Sequence, residues 1–320
     1  VINVSHEITG LISFRDQLII FSRNNIQRLS GTTLADFQLS PITESIGCLD
    51  PDTIQEVGGD IMYMSPDGIR LLGATDRIGD FSLEVASDPI ADDVYKFAQS
   101  TSNFCSIVIR EKAQYRIFGY TQSEQKKVAR GLLVTKFSNQ GASNLAWGET
   151  SGIKAFVADS KYTEYSETII FGNEDGYLYK METGYTFDTE NIEAIYESPY
   201  MPISDPQIRK TFYKLTTYVD PKGSFSIDLA LKYDFTRSNN QNLIQPAATT
   251  ITSTGVFAAI YGAVTSVFGT AIFGGELDKV YQNQVIGSGK TISIRIEDNS
   301  TNPTFTLDTA LLEYTQNDRQ

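Results

Sequence analysis

A short strand–turn–strand unit is written four times in the first 180 residues of this chain. Leu18-Ile19-Ile20-Phe21 turns through Ser22-Arg23-Asn24-Asn25 into Ile26-Gln27-Arg28-Leu29. Ile61-Met62-Tyr63-Met64 turns through Ser65-Pro66-Asp67-Gly68 into Ile69-Arg70-Leu71-Leu72. Ser106-Ile107-Val108-Ile109 passes through residues 110–113 into Gln114-Tyr115-Arg116-Ile117, and Thr168-Ile169-Ile170-Phe171 through residues 172–176 into Tyr177-Leu178-Tyr179-Lys180. About 43 to 46 residues separate the first three turns, which is the length a four-stranded blade needs. The expectation is an all-β chain that begins with a β-propeller, about four blades of which are visible.

The strands group into four sets. The first takes residues 11–14, 18–21, 26–29 and 37–40; the second 53–57, 61–64, 69–72 and 81–85. The third takes 94–98, 106–109, 114–118 and 131–137; the fourth 144–147, 153–158, 168–171 and 177–181. The second strand of each set is apolar at consecutive positions, as a strand covered on both faces must be. Arg28, Arg70, Arg116 and Lys180 place the following strand nearer to solvent. Asn24-Asn25, Pro66-Asp67-Gly68 and Asp175-Gly176 are turn chemistry, because Asn and Gly tolerate positive φ. An irregular β-sandwich is the alternative that this pattern leaves open.

The composition shifts after Asp188, where Ser198-Pro199, Met201-Pro202 and Asp205-Pro206 punctuate the chain. Phe225, Ile227, Leu229, Leu231 and Tyr233 then share one face of a strand, and Ile292, Ile294 and Ile296 do the same. Residues 1–190 are therefore expected to form the propeller domain and residues 191–320 an antiparallel β-sandwich-like domain. Residues 238–275 carry no charge, and within them glycine recurs at Gly255, Gly262 and Gly269. A membrane helix would need an apolar run of about 20 residues with basic flanks. The dense glycine and the absence of basic flanks favour a buried or subunit-contacting loop of β character instead.

The net charge of −13 excludes wrapping of duplex DNA by phosphate neutralisation, although it suits a wall past which DNA slides. Cys48 and Cys105 form no CxxC pair and read as two buried thiols. No signal peptide is visible, and a start at Val1 is expected of a piece of something longer.

Catalytic motifs are scarce. Gly287-Ser288-Gly289-Lys290-Thr291 imitates the end of a phosphate loop, but Gln284 stands where the first glycine belongs and a strand follows. Asn173, Asp175, Gly176 and Glu182 imitate part of a calcium loop, yet Phe171 stands at its first ligand position. His6 is the single histidine, which argues against a Ser-His-Asp or Cys-His centre. Asp16, Asp60, Asp159 and Glu167 flank inner strands and keep a two-carboxylate glycosidase formally open. No catalytic, cofactor-binding or metal-binding residue is assigned, and the chain is expected not to be an enzyme.

A family resemblance rests on turn-and-strand motifs. It begins with Phe14-Arg15-Asp16-Gln17-Leu18-Ile19-Ile20-Phe21, then Leu34-Ala35-Asp36-Phe37 and Ser45-Ile46-Gly47-Cys48. It continues through Pro51-Asp52-Thr53 and Gly58-Gly59-Asp60-Ile61-Met62-Tyr63-Met64-Ser65-Pro66-Asp67-Gly68-Ile69. Trp147 with Glu149, residues 172–179, Gly184, Asp205-Pro206, Arg209-Lys210, Tyr233-Asp234 and Gly287-Ser288-Gly289 extend it. Together these motifs resemble the tail nozzle (tail tubular or hub) proteins of short-tailed bacteriophages. The resemblance implies a virion structural protein, a homohexameric ring below the portal and adaptor that forms part of the DNA ejection channel. DNA would pass without specific binding, and membrane contact is not expected. A glycan-binding or carbohydrate-active propeller is the alternative, with Trp147 as its sole tryptophan platform.

Overall fold

The structure is a computed structural model. It describes residues 2–4, 6–33, 35–73, 85–101, 103–122, 127–139, 142–163, 166–221, 223–235, 246–253 and 279–317. The chain is all-β apart from one short helix and two single 3-10 turns among these residues. It divides into two compact units, Val1–Thr183 and Gly184–Gln320.

The first unit is a succession of antiparallel sheets taken in chain order. Strands β1 (Ile8–Phe14), β2 (Gln17–Ser22), β3 (Ile26–Ser30) and β4 (Gln38–Thr43) form the first. After a 3-10 turn at Pro51–Thr53 come β5 (Gln55–Val57), β6 (Asp60–Ser65) and β7 (Gly68–Leu71). Helix α1 (Ala91–Ser100) precedes β8 (Asn103–Ile109), β9 (Gln114–Gln122), β10 (Lys127–Asn139) and β11 (Ala142–Ser151), which form the third sheet. The fourth contains β12 (Val157–Thr163), β13 (Ser166–Gly172) and β14 (Leu178–Lys180). Strand β8 lies close to both β5 and β12, so the first strands of three successive sheets are neighbours.

The consecutive apolar run of β6 follows from this arrangement. Ile61 and Tyr63 pack with Ile19, Phe21 and Ile26 of the first sheet around Cys48. Met62 and Met64, on the opposite face, pack with Phe104, Tyr115, Ile117 and Leu132 of the third. Both faces are covered, so alternation disappears. Each such side chain contributes about 1.5–3 kcal/mol by leaving water. The two thiols are free and buried, and burial pushes each up to about 11, which leaves them protonated at neutral pH.

Three sequence expectations are corrected here. Residues 94–98 are not a strand but lie in α1. Ile90, Val94 and Phe97 recur at helical spacing, Val94 and Phe97 are buried, and Asp92 and Asp93 complement the positive helix start. Residues 144–147 belong to β11 of the third sheet rather than opening the fourth. The third hairpin, β8–β9, is consequently the first pair of its sheet, whereas β2–β3 and β6–β7 are second pairs. Arg70 and Arg116 are buried, not near solvent, because each finds a carboxylate: Asp67 at 2.5 Å and Glu182 at 2.6 Å. Of the strand expected at residues 81–85, residues 81–84 lie outside the described residues.

The second unit contains β15 (Thr186–Phe187), β16 (Glu190–Glu197), β17 (Lys210–Pro221), β18 (Ser226–Tyr233), β19 (Thr249–Thr252), β20 (Val280–Gly289), β21 (Ile292–Ser300) and β22 (Phe305–Gln316). Residues 190 and 191 thus lie within one strand. One sheet runs in the order β15-β16-β21-β18-β19 and the other β20-β17-β22. They share one core: Phe225, Ile227, Leu229, Leu231 and Tyr233 meet Phe212, Leu215 and Val219, with Ile292 and Ile296 beside them. The alternation along β18 is the reason, since every second side chain turns to that core. Of the charge-free segment only residues 246–253 are described; its three spaced glycines lie outside the described residues. Among the described residues, no helix is long and apolar enough to cross a membrane.

Candidate functional site

The four acids flagged in the sequence lie at or near strand ends and turns. Asp16 sits in the β1–β2 turn at φ 60°. Asp60 Oδ1 accepts from the Ile61 and Gly73 amides at 2.8 Å each, tying the start of β6 to the end of β7. Asp159 Oδ1 accepts from the Ser160 amide at 2.8 Å. Glu167 exchanges bonds with Glu111, which sequence reasoning did not single out: each carboxylate accepts the other's backbone amide, at 2.8 and 3.1 Å. Among the described residues each of Asp60, Asp159 and Glu167 thus accepts backbone amides of its own or a neighbouring turn.

The two motif mimics are turns held by side-chain hydrogen bonds. In the β20–β21 turn, Asp234 Oδ1 accepts the amides of Lys290 (2.6 Å) and Thr291 (3.2 Å), and Arg209 pairs with its other oxygen at 3.0 Å. A carboxylate of the chain thus occupies the amides a phosphate would need. Tyr233 also packs where a side chain at Gly287 would stand, 2.1 Å from its Cβ position, so only glycine fits. In the β13–β14 turn, Asn173 Oδ1 accepts from the Asp175 and Tyr177 amides, and Glu174 accepts from Tyr120 Oη at 2.8 Å. Among the described residues no group of His, Cys, Asp and Glu has the arrangement to hold a metal ion.

Glu182 forms an ion pair with Lys112 and another with Arg116 at 2.6 Å. Burial alone would raise its carboxyl, but the Lys112 hydrogen bond and the Arg116 charge overrule it and hold it below the ordinary 4.5. Asp67 is likewise held below 3.8 against burial by Arg70. A carboxyl with a lowered native pKa binds fewer protons folded than unfolded. Its contribution is therefore present above the unfolded value and lost as pH falls through the folded one. The urea midpoint of the first unit is expected to fall between pH 6 and pH 3. Glu182→Gln should cost about 1 kcal/mol at pH 7 and less at pH 3. Equal losses at both pH values would refute the assignment.

Each unit has a concavity among the described residues. In the first unit, about 270 Å3 is lined by Arg15, Gln17, Arg28 and Asp60 among apolar neighbours. Its polar groups serve the fold: Arg15 donates to the Gly59 carbonyl at 2.6 Å with its guanidinium over Phe14, and Arg28 Nε donates to Ser40 Oγ at 3.1 Å. In the second unit, a groove of about 480 Å3 lies between β16, β21 and β22 and is lined mostly by apolar side chains. Sequence reasoning missed it, because its walls come from strands roughly 100 residues apart. The available signal was Ile195-Tyr196, two adjacent large apolar residues in a short strand. No protein-family model matches the chain, and comparison with curated proteins finds no match.

Proposed function

We propose that this chain is a structural component of a bacteriophage tail, part of a nozzle or hub ring below the portal and adaptor that lines the DNA ejection channel. On this reading the sheets of the first unit are blades of a β-propeller and the second unit is a β-sandwich-like domain. The observation that supports it most is the run of antiparallel sheets in chain order with neighbouring first strands, β5, β8 and β12. The sequence resemblance and the net charge of −13 agree with it. A channel wall of that sign repels DNA phosphates within a screening length of about 10 Å, so DNA passes without being held. The charged side chains of the turns brace the chain rather than converge on a substrate, which suits a scaffold that turns nothing over.

The partners on this reading are five further copies in a six-fold ring, the adaptor and portal, and other tail proteins, all within the virion. The test is particle mass by light scattering with negative-stain imaging, for the purified full-length protein alone and with the portal–adaptor complex. A six-fold ring in either sample is expected. A protein that stays monomeric in both and binds sugars on a glycan array would overturn the reading in favour of a glycan-binding or carbohydrate-active propeller.

A further inference from the structure

The two sheets of the second unit close on each other along one side, where β20 lies against β18 and β19. On the opposite side the outer strands are β16 and β22, and the apolar groove runs between them. Ala194 and Tyr196, Ile294 and Ile296, and Leu307 and Ala310 form its walls. Tyr196 is 60% exposed and the neighbouring Leu311 50%. Among the described residues, β22 pairs only with β17, leaving the other edge of its 12 residues unpaired. Strand β16 pairs with β21 and, at its start, with the two residues of β15.

The charges at this groove differ from those around it. Nearby Glu197, Glu297 and Glu313 are each ion-paired, with Lys232, Arg295 and Lys214 respectively. Asp298 and Asp308 line the groove itself, and neither has a cation partner among the described residues. An apolar floor, an open strand edge and two uncompensated carboxylates therefore coincide. A second copy would bring two further uncompensated carboxylates to the contact and no cation to meet these. Nucleic acid is disfavoured by the same carboxylates.

We propose that the groove takes an extended segment of a partner protein in which apolar residues alternate with lysine or arginine, added as a strand along β22. Main-chain hydrogen bonds to β22 supply the register, alternate apolar side chains fill the groove, and the basic ones reach Asp298 and Asp308. This holds whether or not the tail reading does.

The test uses a fluorescein-labelled peptide of about ten residues alternating valine and lysine, N-methylated at every second amide so that it cannot stack with itself. Fluorescence anisotropy with the intact protein is expected to show saturable binding. Affinity should fall about tenfold or more for the valine–glutamate counterpart, for the Asp298→Asn, Asp308→Asn double variant and for Tyr196→Lys. All changes are at accessible positions, and near-ultraviolet circular dichroism checks that the variants are folded. Should Tyr196→Lys unfold, the Asn variant alone decides. Equal binding of the two peptides, indifference to the Asn variant, or no saturation by about 1 mM peptide would overturn the proposal. So would a self-associated parent protein that Tyr196→Lys converts to monomer, since the groove would then hold a second copy.

Discussion

Tyr115→Ala is expected to lower the stability of the first unit by about 4 kcal/mol, and Tyr115→Phe by about 1 kcal/mol. Tyr115 is 1% exposed and packs with Met62, Met64, Ile117 and Val134 where the second and third sheets meet. Its Oη donates to the Thr53 carbonyl at 2.8 Å, 62 residues away in sequence. Burial pushes the phenol far above its ordinary 10, so it remains a donor across the working range. Thr53 is itself fully buried: its hydroxyl donates to the Asp50 carbonyl (2.7 Å) and accepts the Met64 amide (3.1 Å). The phenol therefore fastens β9 to the turn that leads into β5. Phenylalanine keeps the packing and leaves one carbonyl unsatisfied, whereas alanine also opens a cavity the surrounding strands cannot close. Urea unfolding of the three proteins measures both steps. Equal losses for the two variants would show that the hydrogen bond, not the ring, carries the effect.

What could be read in the sequence was what one strand decides alone. Residues 61–64 announced a strand covered on both sides, and Ile61, Met62, Tyr63 and Met64 are all buried. The alternation from Phe225 to Tyr233 announced a half-covered strand, and its five apolar side chains all enter the core. Turn spacing alone misplaces the third sheet, because it ignores the phase of the apolar residues. It assigns residues 94–98 to a strand, although Val94 and Phe97 of α1, with Ile90 just before it, fit 3.6 residues per turn. Counting that segment as a strand preserved the period while shifting every later strand by one place. Arg70 and Arg116 were placed near solvent because charge alone suggests it. Each is buried by a carboxylate, Asp67 three residues earlier or Glu182 in the turn after β14, and only the folded chain brings the latter near. The apolar groove depends on β16, β21 and β22 meeting, so a local pattern, Ile195-Tyr196, could hint at one wall but not at the groove.

Gly47→Ala is the second large effect, expected to cost about 3 kcal/mol or more. A Cβ at Gly47 would stand 2.2 Å from the Ser22 carbonyl oxygen and 2.4 Å from the Arg23 carbonyl carbon. These are backbone atoms of the β2–β3 turn, which is itself closed by the Ser22 amide on the Asn25 carbonyl at 2.8 Å. The next two residues are fixed as well: the Cys48 amide donates to Ser22 and the Leu49 amide to Met64, both at 2.9 Å. The chain is thus threaded between the first sheet and β6, and a methyl group can enter only by parting them. Gly58→Ala is the control. Its Cβ would meet nothing within 4 Å, and its φ of +59° carries only the conformational cost of about 1 kcal/mol. The difference between the two variants, read from urea midpoints, isolates the close approach from the backbone preference. If Gly47→Ala loses no more than Gly58→Ala, the turn yields to the methyl group, and the contact between the first and second sheets rests mainly on the Phe21–Tyr63 cluster.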